Sequence, residues 1–491
     1  MKRVIACLIL CVMLLSGCST LDIDKKAKDL TNYSLNINLD FDTKTAKLKQ
    51  VIDYVNNEDI ILNELMFHLY PNAFKSRDLS VLPVSDFNLS KAYPNGFDAG
   101  SINIDSVSVG TQMAEYKLIN EDSILSVPLF DKLYPSQRVK VEISADIDIP
   151  NVLHRFGYGD DTLNLCNFYP IVCVYENGGF VQDRYCSNGD PFYSEVANYD
   201  VQVVFDDCLQ VGASGECVSS KTSNGIVSNI YKAKVVRDFG LVFSPKFEVL
   251  EKSVNNVCFK YLFYDDDNAE QNLQVMIDAV STFNKLLGDY PYSTLTAVKS
   301  DFIYGGMEYP NLILISDDVE NTHDYQNVIV HETGHQWFYG IVGNNEYSEA
   351  WLDEGLTEYI TAMFYELNPG YGIQYSEVIG NALSSYLLFL DVYEDVFGEA
   401  FDTSMNRSLT EFNSEPEYTY LIYVKGVLLL DNLREVVGDS GFLLGLKNFY
   451  ETNKFSIATT DHFIASMESA TNKELSSLIM SWLNGDVVIA N

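Results

Sequence analysis

The chain has 491 residues, of which 47% are hydrophobic, and a formal net charge of −37. This composition is typical of a folded soluble protein and excludes a disordered chain or a polytopic membrane protein, while the length suggests two or three domains. The excess of 69 Asp and Glu over 32 Lys and Arg argues against nucleic acid and anionic lipid surfaces as partners. The charge either favours cationic ligands such as peptide amines or only supports solubility.

The first 17 residues have the pattern of a lipoprotein signal peptide. A basic start precedes an apolar stretch over residues 4–15, which is shorter than the ~20 residues of a membrane-spanning helix. The following Leu-Ser-Gly-Cys sequence resembles a lipobox and predicts cleavage before Cys18, lipidation of its thiol, and an extracytoplasmic, membrane-anchored place in a bacterial cell envelope. Residues 18–30 would then be a polar tether. An ordinary signal peptide with an incidental Cys18 is the alternative.

Residues 31–252 have the alternation of a β domain. Hydrophobic and polar residues alternate over residues 33–41, which is the period-2 pattern of a half-buried strand. Similar runs, separated in several places by turn sequences, occur at residues 60–69, 139–149, 201–205 and 230–236. We therefore predict an N-terminal antiparallel β domain, either a sandwich or a saddle.

The pattern changes near residue 253 to helices. Helical periodicity is found at residues 268–287, 324–339, 348–367, 375–392 and 423–437, with an apolar strand at residues 312–315. Ser348 is the expected N-cap of the third helix, and Asn368-Pro369-Gly370 is the expected stop after it. We predict an α+β domain over residues 253–491, so the chain is expected to be a multidomain protein.

Six cysteines follow the signal segment and Cys18: Cys166, Cys173, Cys186, Cys208, Cys217 and Cys258. An extracytoplasmic location permits disulfides among them. Cys208 and Cys217 flank a turn that contains glycine and are the best candidate pair. Free buried thiols are the alternative.

The strongest chemical signal is the motif His-Glu-Thr-Gly-His, which places His331, Glu332 and His335 on one predicted helix. Side chains at positions i and i+4 lie one above the other, so both imidazoles can reach one ion while Glu332 lies beside it. Glu354 on the next predicted helix supplies a third ligand. Two histidines and a glutamate with an open fourth position are typical of catalytic zinc. We predict one Zn²⁺ per chain, with Glu332 as the base that activates water. Gly334 within this helix indicates close packing.

These residues resemble the gluzincin pattern of the M1 aminopeptidase family. Eighteen residues separate His335 from Glu354, as in that pattern. Residues 305–309, Gly-Gly-Met-Glu-Tyr, are similar to the family's Gly-x-Met-Glu-Asn strand, and residues 423–426, Tyr-Val-Lys-Gly, to its Tyr-x-Lys-Gly segment. The matching stretch covers residues 288–430. The resemblance implies a saddle-like β domain, a thermolysin-like catalytic domain and peptide substrates.

The resemblance also implies roles for individual residues. Tyr423 would donate a hydrogen bond to the oxyanion of the transition state, and Glu308 would pair with the free α-amine of a peptide. Gly305 and Gly306 suit a strand edge that a peptide backbone can approach closely. Glu358, one turn after the third ligand, either orients a ligand histidine or is an ordinary surface glutamate.

Three features depart from the family pattern. Tyr309 occupies the position where the family usually has Asn. The region around residues 163–166 offers no second acid to anchor an amine, and Asp160 and Asp161 are the nearest. Little chain follows Glu354 for the large C-terminal helical domain of many members, which predicts a more open cleft.

These departures leave alternative functions open. An endopeptidase or an epoxide hydrolase on the same scaffold uses the same chemistry, and a ligand-binding lipoprotein that has lost catalysis is a different class of protein. A zinc aminopeptidase is the favoured interpretation, because all three ligands, the base and Tyr423 are present. The sequence does not indicate an oligomeric state.

Overall fold

The computed structural model describes residues 23–78, 82–397 and 401–489. The predicted signal peptide and the lipidation site Cys18 lie outside this part of the chain. No helix within the described ranges is both long enough and apolar enough to span a membrane.

The N-terminal domain is built mostly from β-strands. In chain order these are β1 (Asn32–Asp40), β2 (Thr45–Val55), β3 (Leu62–His68), β4 (Ser101–Val109), β5 (Gln112–Met113), β6 (Lys117–Ile119), β7 (Ile124–Leu133), β8 (Arg138–Asp148), β9 (Phe156–Tyr158), β10 (Leu163–Leu165), β11 (Ile171–Val172), β12 (Tyr175–Glu176), β13 (Gly179–Phe180), β14 (Ala197–Asp206), β15 (Gln210–Ala213), β16 (Glu216–Ser223), β17 (Ile226–Val236) and β18 (Leu241–Ser244). A short helix, α1 (Leu89–Ala92), lies between β3 and β4.

The largest sheet of this domain has eight strands in the order β16-β17-β14-β1-β2-β8-β4-β5. The predicted alternation is confirmed in β1, where Tyr33, Leu35 and Ile37 are buried and the residues between them are exposed. All neighbouring strands in this sheet are antiparallel except β1 and β14, which pair in parallel. Parallel pairing requires a crossover, and here most of the domain separates the two strands.

The C-terminal domain combines a five-stranded sheet with helices. Its strands are β19 (Glu248–Val254), β20 (Val257–Phe263), β21 (Thr294–Ser300), β22 (Gly306–Met307), β23 (Leu312–Ser316), β24 (Val342–Gly343) and β25 (Ser456–Ile457). Its helices are α2 (Ala269–Leu286), α3 (Thr322–Gly334), α4 (Glu346–Glu349), α5 (Glu354–Leu367), α6 (Tyr375–Phe397), α7 (Glu415–Thr419), α8 (Lys425–Val437), α9 (Asp439–Asn453), α10 (Thr460–Thr471) and α11 (Ser476–Leu483). The sheet order is β19-β20-β21-β23-β22, so this sheet begins at Glu248, slightly before the predicted boundary.

The helix predicted at residues 348–367 is wrong at its start. The short helix α4 comes first and is followed by a 3₁₀ turn over Ala350–Leu352, and α5 begins only at Glu354. Asn345, rather than Ser348, is the N-cap residue, and it caps α4. Its side chain accepts a hydrogen bond from the backbone N–H of Tyr347. The predicted stop is confirmed, since α5 ends at Leu367.

The helix that carries the histidine motif is shorter than predicted at its C-terminal end. It begins at Thr322, capped by the side chain of Asn321, and ends at Gly334 instead of residue 339. A β-carbon on Gly334 would be 3.0 Å from Thr357 Cγ2 and 3.2 Å from Ile360 Cδ1 on α5. The close packing that Gly334 predicted is therefore confirmed, and it brings α3 and α5 together.

The predicted Cys208–Cys217 disulfide is not formed, and the six cysteines of the described residues are free thiols. Cys208 lies in the turn between β14 and β15, two strands that belong to different sheets. Cys217 lies on β16, beside Tyr231 of β17. The chain thus leaves the large sheet and returns to it between the two cysteines, so they do not face each other across a hairpin.

Candidate metal centre

His331, His335 and Glu354 bring three ligand atoms together between α3 and the start of α5. The Nε2 atoms of the two histidines are 3.0 Å apart, and Glu354 Oε2 lies 3.3 Å from His331 Nε2 and 3.2 Å from His335 Nε2. All three residues are buried. The break before α5 allows this arrangement, because it places Glu354 at the N-terminal end of that helix, where its carboxylate faces α3.

Each histidine is oriented by a carboxylate on its other ring nitrogen. His335 Nδ1 donates to Asp353 Oδ1 at 2.7 Å, and His331 Nδ1 donates to Glu358 Oε2 at 2.9 Å. These bonds direct both Nε2 atoms at the shared point. Of the two alternatives for Glu358, the contact fits the orienting residue. Sequence reasoning missed Asp353, although it immediately precedes Glu354.

The electrostatics of the three ligands favour positive charge at their centre. Burial alone would lower the pKa of His331, but hydrogen bonds to Glu354 and Glu358 outweigh burial and raise that pKa to about 10. Burial also opposes ionisation of Glu354, yet the two histidines hold the pKa of its carboxyl below its ordinary range. The cluster therefore prefers a negative carboxylate facing a cation.

The donor set fits zinc. Zinc bound by histidine nitrogen at ~2.0–2.1 Å in a tetrahedron has ligand atoms roughly 3.4 Å apart. The separations of 3.0, 3.2 and 3.3 Å are close to that edge length, so the three atoms can form one face of the tetrahedron. His331, His335 and Glu354 are thus suited to hold the ion that the sequence predicts.

Glu332 lies beside this cluster and over the backbone of β22. A β-carbon on Gly306 would come within 2.6 Å of Glu332 Cγ and Cδ, so only glycine leaves room for this side chain. Glu332 Oε2 is buried and has no hydrogen-bond partner among the described residues. Burial, opposed by the two neighbouring histidines, raises the pKa of Glu332 to about 7.

Tyr423 lies in a π-helical turn, Tyr420–Val424, instead of starting the predicted helix. Such turns are rare and often occur at functional sites. The hydroxyl of Tyr423 donates a hydrogen bond to Glu354 Oε1, and its ring is stacked at 6.0 Å from the ring of His331. The turn therefore aims the tyrosine directly at the candidate metal ligands.

Lys425 and Gly426, directly after this turn, have distinct structural roles. The ammonium of Lys425 is buried and donates to Thr403 O at 2.7 Å and Trp482 O at 3.0 Å, which ties the turn to the C-terminal segment. Burial lowers the pKa of Lys425 to about 8. A β-carbon on Gly426 would be 2.9 Å from Gly355 Cα, so the glycine lets α8 and α5 touch.

Glu308 and Asp190 form an acidic end of the same cavity. One carboxylate oxygen from each of Glu308, Asp190 and Glu354 lies within 4.8 Å of the other two. Glu308 follows β22, is buried, and leaves Oε1 without a partner among the described residues. Asp190 comes from the N-terminal domain, in the loop between β13 and β14. Asp190 is thus a second acid beside Glu308, and no pattern around residues 163–166 indicated it.

Arg155 holds Asp190 in place. Its guanidinium forms an ion pair with Asp190, and Nη1 donates to the hydroxyl of Tyr185 at 3.1 Å. Both charged residues are buried. No local motif signals this pair, since its members are distant in sequence. Tyr309 points away from the cavity, and its hydroxyl donates to Asn167 Oδ1 at 2.7 Å.

The cavity that contains these groups has a volume of about 290 Å³ and lies between the two domains. Gly305, Gly306, Glu308, Glu332 and Tyr423 all line it, together with the three metal ligands. The structure therefore brings every residue that the sequence predicted for the site into one cavity, apart from the lipidation site.

Residues 270–482 match the family model described as the peptidase family M1 domain. This part of the chain is therefore similar to the peptidase family M1 domain. Within it lie the histidine motif, Glu354, Glu308 and Tyr423, as the sequence resemblance implied.

Curated relatives match part of the chain at moderate identity. Human aminopeptidase B is 29% identical over 206 residues, which cover 40% of this chain and 31% of that protein. Aminopeptidase N of Lactobacillus helveticus is 26% identical over 207 residues, which cover 40% of this chain and 24% of that protein. The match thus spans about a third or less of the length of these relatives.

Solved structures match over both domains. The M1 zinc metallopeptidase of Deinococcus radiodurans has a TM-score of 0.63 at 16% identity, and the match covers 94% of each chain. A mutant of that enzyme bound to a Tyr-Ser-Ala substrate has a TM-score of 0.65 at 15% identity, again over 94% of each chain. At such identities the likeness concerns the fold. It confirms the predicted β domain followed by an α+β catalytic domain.

Proposed function

We propose that this protein is a zinc-dependent aminopeptidase that removes N-terminal residues from peptides. The observation that carries the proposal is the arrangement of two buried carboxylates, Glu308 and Asp190, beside the three metal ligands in one cavity. The ligands suit a catalytic metal, and the two acids suit a free ammonium group next to it.

Glu332 is the proposed general base. A bound zinc ion would polarise the scissile carbonyl and lower the pKa of an attacking water molecule. Glu332 Oε2, which lacks a partner among the described residues, would accept the proton of that water and pass it to the leaving amine. A positioned acid–base group of this kind typically contributes ~10²–10⁴-fold to the rate.

Tyr423 is the proposed donor to the developing oxyanion. Its hydroxyl donates to Glu354 in the structure and lies next to the ligand cluster. A shift of this hydrogen bond from Glu354 to the substrate oxygen would stabilise charge that exists only in the transition state.

The acidic end of the cavity supports removal of N-terminal residues over cleavage within a chain. Glu308 and Asp190 would accept charge-assisted hydrogen bonds from the α-ammonium of the peptide. The buried guanidinium of Arg155 is paired with Asp190 at this end of the cavity. Relatives named aminopeptidase B and aminopeptidase N, and a structural neighbour bound to Tyr-Ser-Ala, support the same substrate class.

Two measurements test this function. Peptides with a free N-terminus should be cleaved one residue at a time, whereas their N-acetylated forms should not. Undiminished cleavage of blocked peptides would instead indicate an endopeptidase. The Glu332→Gln variant should keep about one zinc per chain but lose most turnover, and wild-type turnover in this variant would refute the role of the base.

We also propose that the mature protein is a lipoprotein held on the outer side of a cell membrane through Cys18. The lipobox-like sequence before this cysteine supports the location, and peptides in that compartment would be the substrates. Labelled palmitate should appear on the wild-type protein and be absent from a Cys18→Ala variant. A wild-type protein without label would reject the proposal.

A further inference from the structure

Glu415 is a carboxylate on the rim of the active-site cavity that the proposed chemistry does not use. It begins α7, and its Oε2 accepts hydrogen bonds from Ser85 Oγ at 3.1 Å and Asn88 Nδ2 at 2.8 Å. Both donors are neutral side chains of the N-terminal domain, so they hold the carboxylate in place without cancelling its charge. Within the described ranges no cationic side chain forms an ion pair with Glu415.

Two tyrosines connect this rim to the acidic end of the cavity. The guanidinium carbon of Arg155 lies 5.6 Å from the ring centre of Tyr304, so Tyr304 adjoins the Arg155–Asp190 pair. After burial, which is the main cause, the charges of Glu415 and Asp190 both raise the pKa of Tyr304, and Arg155 opposes them. The hydroxyl of Tyr304 is therefore within electrostatic reach of both carboxylates.

Tyr418, the second of these tyrosines, lies between Glu415 and Tyr423. It lies one turn after Glu415 on α7, lines the cavity, and has its ring 5.9 Å from the ring of Tyr423. Tyr304 and Tyr418 therefore contribute aromatic rings to the cavity that also contains Glu308, Asp190 and Glu415. Aromatic faces attract the methylene groups of lysine and arginine and also their cationic ends.

The charge of the whole cavity favours the same kind of side chain. Six acids line it, namely Asp190, Glu308, Glu332, Glu354, Glu358 and Glu415, whereas Arg155 is the single Lys or Arg among the lining residues. Arg155 is already paired with Asp190. The excess of carboxylates over cationic side chains favours a second cationic group on the substrate.

We propose that the preferred first residue of the substrate is lysine or arginine, and that Glu415 binds the cationic end of its side chain. This inference rests on the proposed aminopeptidase function. Because Glu415 is partly exposed, its contribution should weaken as salt screens the charges.

The test compares kcat/KM for aminoacyl coumarin amides of Arg, Lys, Leu, Met and Glu. We expect Arg and Lys to exceed Leu and Met by about tenfold, with Glu the poorest. Glu415→Gln should lower the Arg-to-Leu ratio about fivefold to tenfold and leave Leu nearly unchanged. Glutamine keeps an oxygen that can accept the bonds from Ser85 and Asn88, so the fold should persist, and thermal unfolding checks this.

Glu411→Gln is the matched control. Glu411 lies in the same segment, is exposed, accepts two hydrogen bonds from Ser408, and does not line the cavity. It should leave the Arg-to-Leu ratio unchanged. Wild-type preference for Leu or Met, or an unchanged ratio in Glu415→Gln, overturns the inference. Absence of turnover for all five substrates would instead contradict the aminopeptidase function itself.

Discussion

The side chain of Glu332 rests on the backbone of Gly306, and a β-carbon at Gly306 would be 2.6 Å from both Cγ and Cδ of that glutamate. The resemblance of residues 305–309 to the family strand implies that this glycine allows the close approach of a peptide backbone. The structure adds a second reason, because any side chain at position 306 would displace the proposed base. The packing of β22 against α3 at this point therefore leaves no room for a β-carbon at position 306.

Gly306→Ala should lower kcat/KM by about a hundredfold while zinc content stays near one per chain. The added methyl group displaces the Glu332 carboxylate, and a displacement of about 1 Å can lower the rate by a hundredfold. Gly305→Ala is the comparison, because its β-carbon meets only Val328 Cγ2 at 3.6 Å, an ordinary contact. Equal losses in the two variants, measured with the same substrate, would contradict this explanation.

Asp353→Asn should weaken zinc binding by about 10–100-fold. Asp353 accepts the Nδ1 proton of His335 at 2.7 Å and thereby directs Nε2 at the ion. Competition with a chelator gives the affinity directly. Glu358→Gln, which alters the corresponding bond to His331, should have a smaller effect, because Glu358 is more exposed than Asp353. Unchanged zinc affinity in Asp353→Asn would show that His335 needs no such orientation.

Gly426→Ala should reduce both thermal stability and turnover. Its β-carbon would meet Gly355 Cα at 2.9 Å, a backbone atom that cannot move aside, so α8 and the turn bearing Tyr423 are pushed away from Glu354. Gly380→Ala is the matched control within α6, since its β-carbon meets nothing within 4 Å. That control should be neutral or gain up to about 1 kcal/mol in helix stability. Unfolding curves and kcat distinguish the two outcomes.

Asp238 should make the protein less stable as the pH rises from about 4 to 7. Burial raises the pKa of its carboxyl to about 7, although bonds from Tyr339 and Asn167 and the charge of Arg237 oppose this. In that interval the folded state keeps a proton that the unfolded state has lost. The contribution of Asp238 to the free energy of unfolding is therefore fully present below pH 4 and lost by pH 7. Between these values the free energy of unfolding falls by at most about 1.4 kcal/mol per pH unit.

Asp238→Asn removes this titration and should flatten the dependence of unfolding free energy on pH. Asn keeps an acceptor for the hydroxyl of Tyr339, which lies 2.6 Å from Asp238 Oδ2. Asp42→Asn, on an exposed turn, is the control and should leave the slope as in the wild type. Identical slopes in the wild type and Asp238→Asn between pH 4 and 7 would show that Asp238 does not retain a proton in the folded state.

Local pattern alone predicted most of the fold and the centre of the site. Period-2 alternation identified strands such as β1, because a strand buried on one face imposes that period on its own sequence. The spacing of His331 and His335 follows from helix geometry, and both imidazoles do face one point with Glu354. Helix ends were predicted less well, since the break at Asp353 depends on a contact with α3.

The tertiary structure alone decided which residues outside the motifs complete the cavity. Asp190, Arg155 and Glu415 come from distant parts of two domains, and no local period or spacing links them. They line one cavity because α3, α5, β22 and the loops of the β domain pack around the same space. Sequence by itself predicted the candidate ligands, the proposed base and the fold class, because helix and strand periods are properties of neighbouring residues. The charge around the substrate was decided only when the two domains met, because side chains become neighbours there through packing and not through chain order.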